Sequence, residues 1–403
     1  MKCFNSFRRN LIGDLMDFNS LSHLSKKKGC GGKRIEEPEG FIVEEIFDGK
    51  NVKELNLKEE KETEYITFVL KKKNYTTYEA LKIISERLQV EIDRFSVAGQ
   101  KDKNAITYQL VSCWKGKDIT PEKLLNAVKD VKNIEIVKSW NTEYKIKTGE
   151  LTGNCFAVRI KDVENIDNID EIMKDNKDKI PNYFGPQRFG IRFTNVKVAR
   201  YLLLKNYEAA IKNLLQIPEN ENIDDIDNLN NFGLYEKKIV RFLKDKKDPK
   251  DFMRALKIIP HSILKLILES YQSYLFNLEL SYRIKNYLLE PMPNDKTCGF
   301  NKYGFIDVNT PGNDVVCAQI VGYDSKPNNI VKDILWEEGI EIGDFKLRDL
   351  PDISLKGSWR PLLVNVKDLN IKKDKDEYEL KFKLTKGAYA TSALREFMDV
   401  KRI

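Results

Sequence analysis

A chain of 403 residues with 41% hydrophobic and 10% aromatic content can fill the cores of two or three domains. At 33% charged, with no run approaching eighteen apolar residues and no signal-type apolar stretch in MKCFNSFRRNLIGDLMDF, it reads as a cytoplasmic protein without a membrane span. The net charge of +7 is mild for this length, so it permits a polyanionic partner without demanding one.

The inventory excludes several chemistries. Six cysteines are scattered with no C-x-x-C pair, against a zinc ribbon or a disulfide scaffold. Only His23 and His261 are present, too few for a His-based metal site and out of keeping with a Ser–His–Asp triad. GCGG at 29–32 lacks phosphate-loop spacing, which argues against nucleotide-driven chemistry. What remains is carboxylates, lysines, aromatics and amides.

Along the chain, the Lys-, Ser- and Gly-rich start reads as an arm over roughly 1–31. Strands follow in GFIVEEIF (40–47) and in EYITFVLKKK (64–73), where Ile66, Phe68 and Leu70 alternate. TTYEALKIISERLQV opens with a capping-box spacing, Thr76 to Glu79, and carries a helical stripe of Leu81, Ile84 and Leu88. A turn around Asp102 comes next, then a helix from Pro121 and strands in NIEIVKSW and NCFAVRIKDV. The order is that of an α+β, mixed-sheet fold. From 196 to about 290 the pattern is mostly helical, short strands and Gly/Pro turns return over 291–370, and DEYELKFKL (376–384) leads through a loop to a last helix.

Two stretches do not follow from periodicity. VAGQKDKNAITYQ (97–109) sets Asp102 between Lys101 and Lys103. It reads either as a solvated turn or as a carboxylate kept ionised by cations, fit to be a nucleophile or base. NYFGPQRFG (182–190) is either a packed aromatic turn or a loop whose Gln187 and Arg188 hold a phosphate backbone.

GQKDKNAITYQ, LTGNCF, NYFGPQRFG and KGAYATSALREF, in that order, resemble the motifs of the TruD family of tRNA pseudouridine synthases; PEGFIVEE and SYQSYLFN add to the match. The resemblance covers the chain from about residue 32 to its end. It implies a mixed-sheet catalytic domain in two pieces, 1–195 and 372–403, with a large α/β insertion domain at 196–371. It also implies an isomerase, an intramolecular transferase that moves the glycosidic bond of a uridine from N1 to C5, with position 13 of tRNA as target. Neither metal nor nucleotide nor redox cofactor is called for.

By the same resemblance Asp102 is the nucleophile, and Phe41, Asn154, Phe156 and Tyr389 hold the flipped base. Lys101, Lys103, Gln187 and Arg188 are expected to contact RNA, together with the basic 26–34 segment. Each aromatic also has a plain reading as core, and Asn154 as a turn residue after Gly153. The chain departs from the family pattern at Gly40, where an acidic residue is usual, and at Ile35, where a basic one is. Lys33 and Arg34 just upstream leave open which cation pairs with Asp102. The alternative from another class is a non-catalytic RNA-binding protein of the same fold, which the presence of Asp102 disfavours.

Overall fold

A computed structural model describes residues 18–58, 63–190, 194–218, 223, 226, 229, 230, 232–246 and 248–398. Two compact units divide the chain. One comprises 25–180, 300–306 and 364 to the C-terminus; the other takes 181–299, 307–363 and the N-terminal residues to 24. The changeovers at 180/181 and 363/364 differ from the expected 195/196 and 371/372. NYFGPQRFG packs with the helices that follow it, and the strand expected to start near 376 is preceded by a partner strand already under way at 367.

The first unit is built on a ten-stranded mixed sheet. In chain order its elements are β1 (Gly31–Arg34), β2 (Phe41–Phe47), β3 (Tyr65–Lys73), α1 (Thr77–Leu88), β4 (Phe95–Val97), β5 (Ile106–Trp114), α2 (Pro121–Asn126), β6 (Ile134–Thr142), β7 (Gly153–Val163), α3 (Asn168–Asp175), β8 (Lys367–Asp374), β9 (Glu377–Thr385) and α4 (Ala390–Phe397). The path runs β8-β9-β7-β2-β5-β3-β6, with β1 on β7, β4 on β5 and the short strand Lys50–Asn51 on β2. Only β2 and β5 pair in parallel along it; the other neighbours are antiparallel.

Strand periodicity sends alternate residues to opposite faces. On one face, Phe68, Leu70, Val111 and Ile134 pack under α1 and α2, while Val43, Phe156, Val158 and Phe382 pack under α3 and α4. The capping box that starts α1 is formed as its spacing predicts: the Glu79 amide donates to Thr76 Oγ1 (3.1 Å) and the Thr76 amide to Glu79 Oε2 (2.7 Å). Residues 300–306 add Phe305 to a small cluster with Ile46 and Cys155.

The expected arm needs correction. Residues 1–17 lie outside the described ones, but Gly31–Arg34 is a strand paired to β7, and Cys30 is buried with its amide donating to the Phe397 carbonyl. Gly31 and Gly32 have positive φ, +70° and +93°, so the glycines that read as flexibility let the chain turn tightly into the sheet edge.

The second unit is mostly helical: Asn195–Leu203, Tyr207–Leu215, Leu234–Leu243, Pro249–Leu256 and the long His261–Lys285. Strands Val315–Ile320 and Ser358–Pro361 pair antiparallel. Between them Asn329–Glu338 is a helix where only strands and turns were expected. Its signals were present, an Asn328 N-cap accepting from the Val331 amide and Gly339 in the left-handed conformation that ends it. Inside this unit Arg283 is fully buried against Glu279 (2.9 Å) and Asp295 (2.7 Å).

Candidate active site

The sheet face described above has apolar residues at both flanks and polar ones in the middle. The register places Glu45 opposite Asn154, Val43 beside Thr107, and Thr107 opposite Lys72. Glu45, Asn154, Thr107, Gln109 and Lys72 therefore share one face of adjacent strands, in the gap between the two helix pairs.

The Asp102 loop joins β4 to β5 at that gap, and its backbone is held from below. Lys72, wholly buried, donates to the carbonyls of Asp102 (2.8 Å), Tyr75 (2.8 Å) and Lys101 (3.3 Å). The Lys101 amide donates to Thr77 Oγ1 (3.0 Å), which in turn donates to Gln109 Oε1 (2.7 Å). The bonds that reach the loop all end on its main chain, and the Asp102 side chain is exposed, with no cation within ion-pair distance among the described residues. Lys33 is taken by Asp162 (3.3 Å), and Arg34 lies over the Phe41 ring (5.4 Å), so neither provides the expected partner.

Burial holds the Lys72 ammonium down at about 8, although the Asp102 charge pulls the other way. Its folded value lies below the ordinary 10.5, so the unfolded chain binds more protons between the two. The Lys72 contribution to stability is thus fully present above 10.5 and is lost as pH falls through 8. Denaturant unfolding across pH 7.5–10.5 should show the wild type gaining stability relative to Lys72→Met as pH rises. Parallel curves for the two proteins would contradict this.

Lys101 corrects an expectation. Its side chain is 7% exposed and pairs at 2.6 Å with Glu45, itself 2% exposed, whose other oxygen accepts from the Leu110 amide (2.8 Å). An ammonium enclosed in this way is structural and does not face RNA phosphate. Lys103 is exposed and pairs with Glu79 (2.9 Å). Lys27 and Lys28 pair with Glu171 and Glu164 at the surface. Gln187 and Arg188 fall in the other unit, where Gln187 is exposed and Arg188 bonds Glu269 (2.8 Å) and Ser273 (3.2 Å).

Of the aromatics, Phe41 and Phe156 are stacked with centroids 6.1 Å apart, and Phe156 meets Phe382 on its other side at 5.6 Å. They are 7% and 5% exposed, so both belong to the core as well as to the site's flank. Tyr389 is half-buried at the N-cap of α4, four residues past Thr385, which pairs with Gly153 next to Asn154. Gly40 has no room for a side chain, since a Cβ there would overlap the Ile35 carbonyl oxygen.

Two polar atoms of the central patch, Thr107 Oγ1 and Asn154 Oδ1, are buried without a hydrogen-bond partner. Such orphans are costly to leave unpaired. Sequence reasoning missed Lys72, Thr107 and Glu45. For Lys72 a signal existed, because a period of two puts it on the face of Phe68 and Leu70.

The model of the family tRNA pseudouridine synthase D (TruD) matches residues 17–397. A Pyrococcus abyssi protein named "Probable tRNA pseudouridine synthase D" is 30% identical over 93% of this chain and 98% of its own length. Its Thermococcus sibiricus counterpart is 29% identical over 94% and 98%. The crystal structure of the Methanosarcina mazei TruD superimposes with a TM-score of 0.69 at 26% identity, covering 94% of this chain and 95% of that one. Fold and matches together define a pseudouridine synthase, an RNA isomerase. Within that class, the chain belongs to the TruD family. Among the described residues no helix is long and apolar enough to cross a membrane.

Proposed function

We propose that this chain isomerises a uridine of folded tRNA, at position 13, with Asp102 as the nucleophile. The observation that carries the reading is the exposed Asp102 carboxylate on a loop whose backbone is clamped by Lys72 and Thr77, and whose Lys101 pairs with Glu45, the strand neighbour of Asn154 with its unpartnered Oδ1. A clamped backbone keeps the reacting oxygen in place without engaging it, which is the preorganisation a nucleophile needs.

The uridine leaves its stack and enters the gap between the helix pairs. Asn154 Oδ1 accepts a hydrogen bond from an N–H of the uracil, satisfying an atom that otherwise has no partner. Tyr389 and the edges of Phe41 and Phe156 bound the space in which the detached base turns. The Asp102 carboxylate bonds to C1′ as the N1–C1′ bond breaks, the freed uracil anion turns, C5 bonds to C1′ as the aspartate–C1′ bond breaks, and C5 then loses its proton to solvent while N1 gains one. The mostly helical unit, 181–299 with 307–363, serves as a second grip on tRNA.

The test is an unmodified tRNA transcript incubated with the protein and no added cofactor, then mapped for pseudouridine. Modification at position 13, lost when that uridine is replaced by cytidine, is expected. No pseudouridine in any tRNA transcript would overturn the reading.

A further inference from the structure

A cleft of about 660 Å³ opens in the sheet-based unit between the end of β3, the start of β6 and the turn after α2. That volume lies in the range of ligand-sized sites. Four lysines line it, Lys71, Lys72, Lys73 and Lys129, against a single carboxylate, Glu135. Its remaining wall is largely apolar, with Val128 and Ile134 inside and Leu125 at the rim, 44% exposed. Lys71 and Lys73 pair with Glu135 and Glu39, but these partners are solvent-exposed, and such pairs are weak enough to exchange for phosphate. Lys129 is exposed and has no carboxylate within ion-pair distance among the described residues.

This cleft joins the proposed active site through one residue. Lys72 lines it and also bonds the Asp102 carbonyl, so the same side chain borders the cleft and holds the nucleophile loop. Cationic rim and apolar floor in one depression fit a phosphate and an unstacked base face together, which a single RNA strand presents and a duplex does not.

We propose that the cleft seats a single-stranded nucleotide flanking the target uridine, its phosphate at Lys73 and Lys129 and its base on Leu125, Val128 and Ile134. The inference rests on the reading of the chain as an RNA-modifying enzyme, and adds the strand's path to it.

Full-length Lys129→Gln and Leu125→Asp, both changes at exposed positions, test it through the affinity of labelled tRNA transcript over a potassium chloride series. Lys129→Gln should lower the log–log salt slope by about one, and Leu125→Asp should weaken binding about tenfold. Lys375→Gln, on the exposed hairpin between β8 and β9, should leave the slope unchanged. Unchanged slope and affinity in both cleft variants, or an equal fall with Lys375→Gln, would overturn the proposal. So would uridine monophosphate displacing the transcript at micromolar concentration, which would make the cleft a small-molecule site. Wild type that binds RNA with the Lys129-dependent slope yet forms no pseudouridine would instead sink the enzymatic reading and leave the cleft assignment standing.

Discussion

Asp102→Asn should reduce pseudouridine formation by a factor on the order of 10³ or more, to background, while the protein folds and binds tRNA as before. Asparagine keeps the size and polarity of the side chain and removes the attacking carboxylate. Nothing in the fold depends on that carboxylate: the bonds that hold the loop come from the Lys72 ammonium and the Lys101 amide, and they end on backbone and on Thr77. Unfolding free energy should therefore move by no more than about 0.5 kcal/mol. Tritium release from tRNA carrying 5-tritiated uridine measures the chemistry directly, because forming the C5 bond expels that hydrogen. Turnover within tenfold of wild type would remove Asp102 from the reaction.

Lys101→Met should act in the opposite way, costing about 3–5 kcal/mol of stability, since it leaves the Glu45 carboxylate buried without its cation. Lys103→Met, two residues on, breaks only an exposed pair with Glu79 and should cost under about 0.5 kcal/mol. Urea denaturation of the two variants makes the comparison. Adding Glu45→Gln to Lys101→Met should recover part of the loss, because it removes the unpaired charge while the amide oxygen still accepts from the Leu110 amide. A loss below about 1 kcal/mol for Lys101→Met alone would mean that water reaches Glu45.

That contrast shows where sequence was informative and where it stopped. Alternation at Ile66, Phe68 and Leu70 and the Thr76–Glu79 spacing are local signals, and the strand and cap they predict are present. The Asp102 loop stood out because its residue types fit no periodic element. Lys101 and Lys103 flank Asp102 symmetrically in sequence, yet one is enclosed and the other solvated, and that difference arises only from the distant β2 strand that brings Glu45. Lys72 was hidden in a run of three lysines that reads as a charged strand end. The Gly31–Arg34 strand was missed for a similar reason: its partner, β7, lies some 130 residues later, and glycine carries no strand propensity of its own.

Ile35 and Gly40, the two departures from the family pattern before Phe41, turn out to touch each other. Ile35 fills, with its carbonyl and side chain, the space a Cβ at position 40 would need. Restoring the acidic residue alone would force the turn between β1 and β2 apart and displace Phe41 with it. Exchanging the side chain at position 35 would not by itself make room, because the nearest obstacle is the main-chain carbonyl, which every residue there would carry.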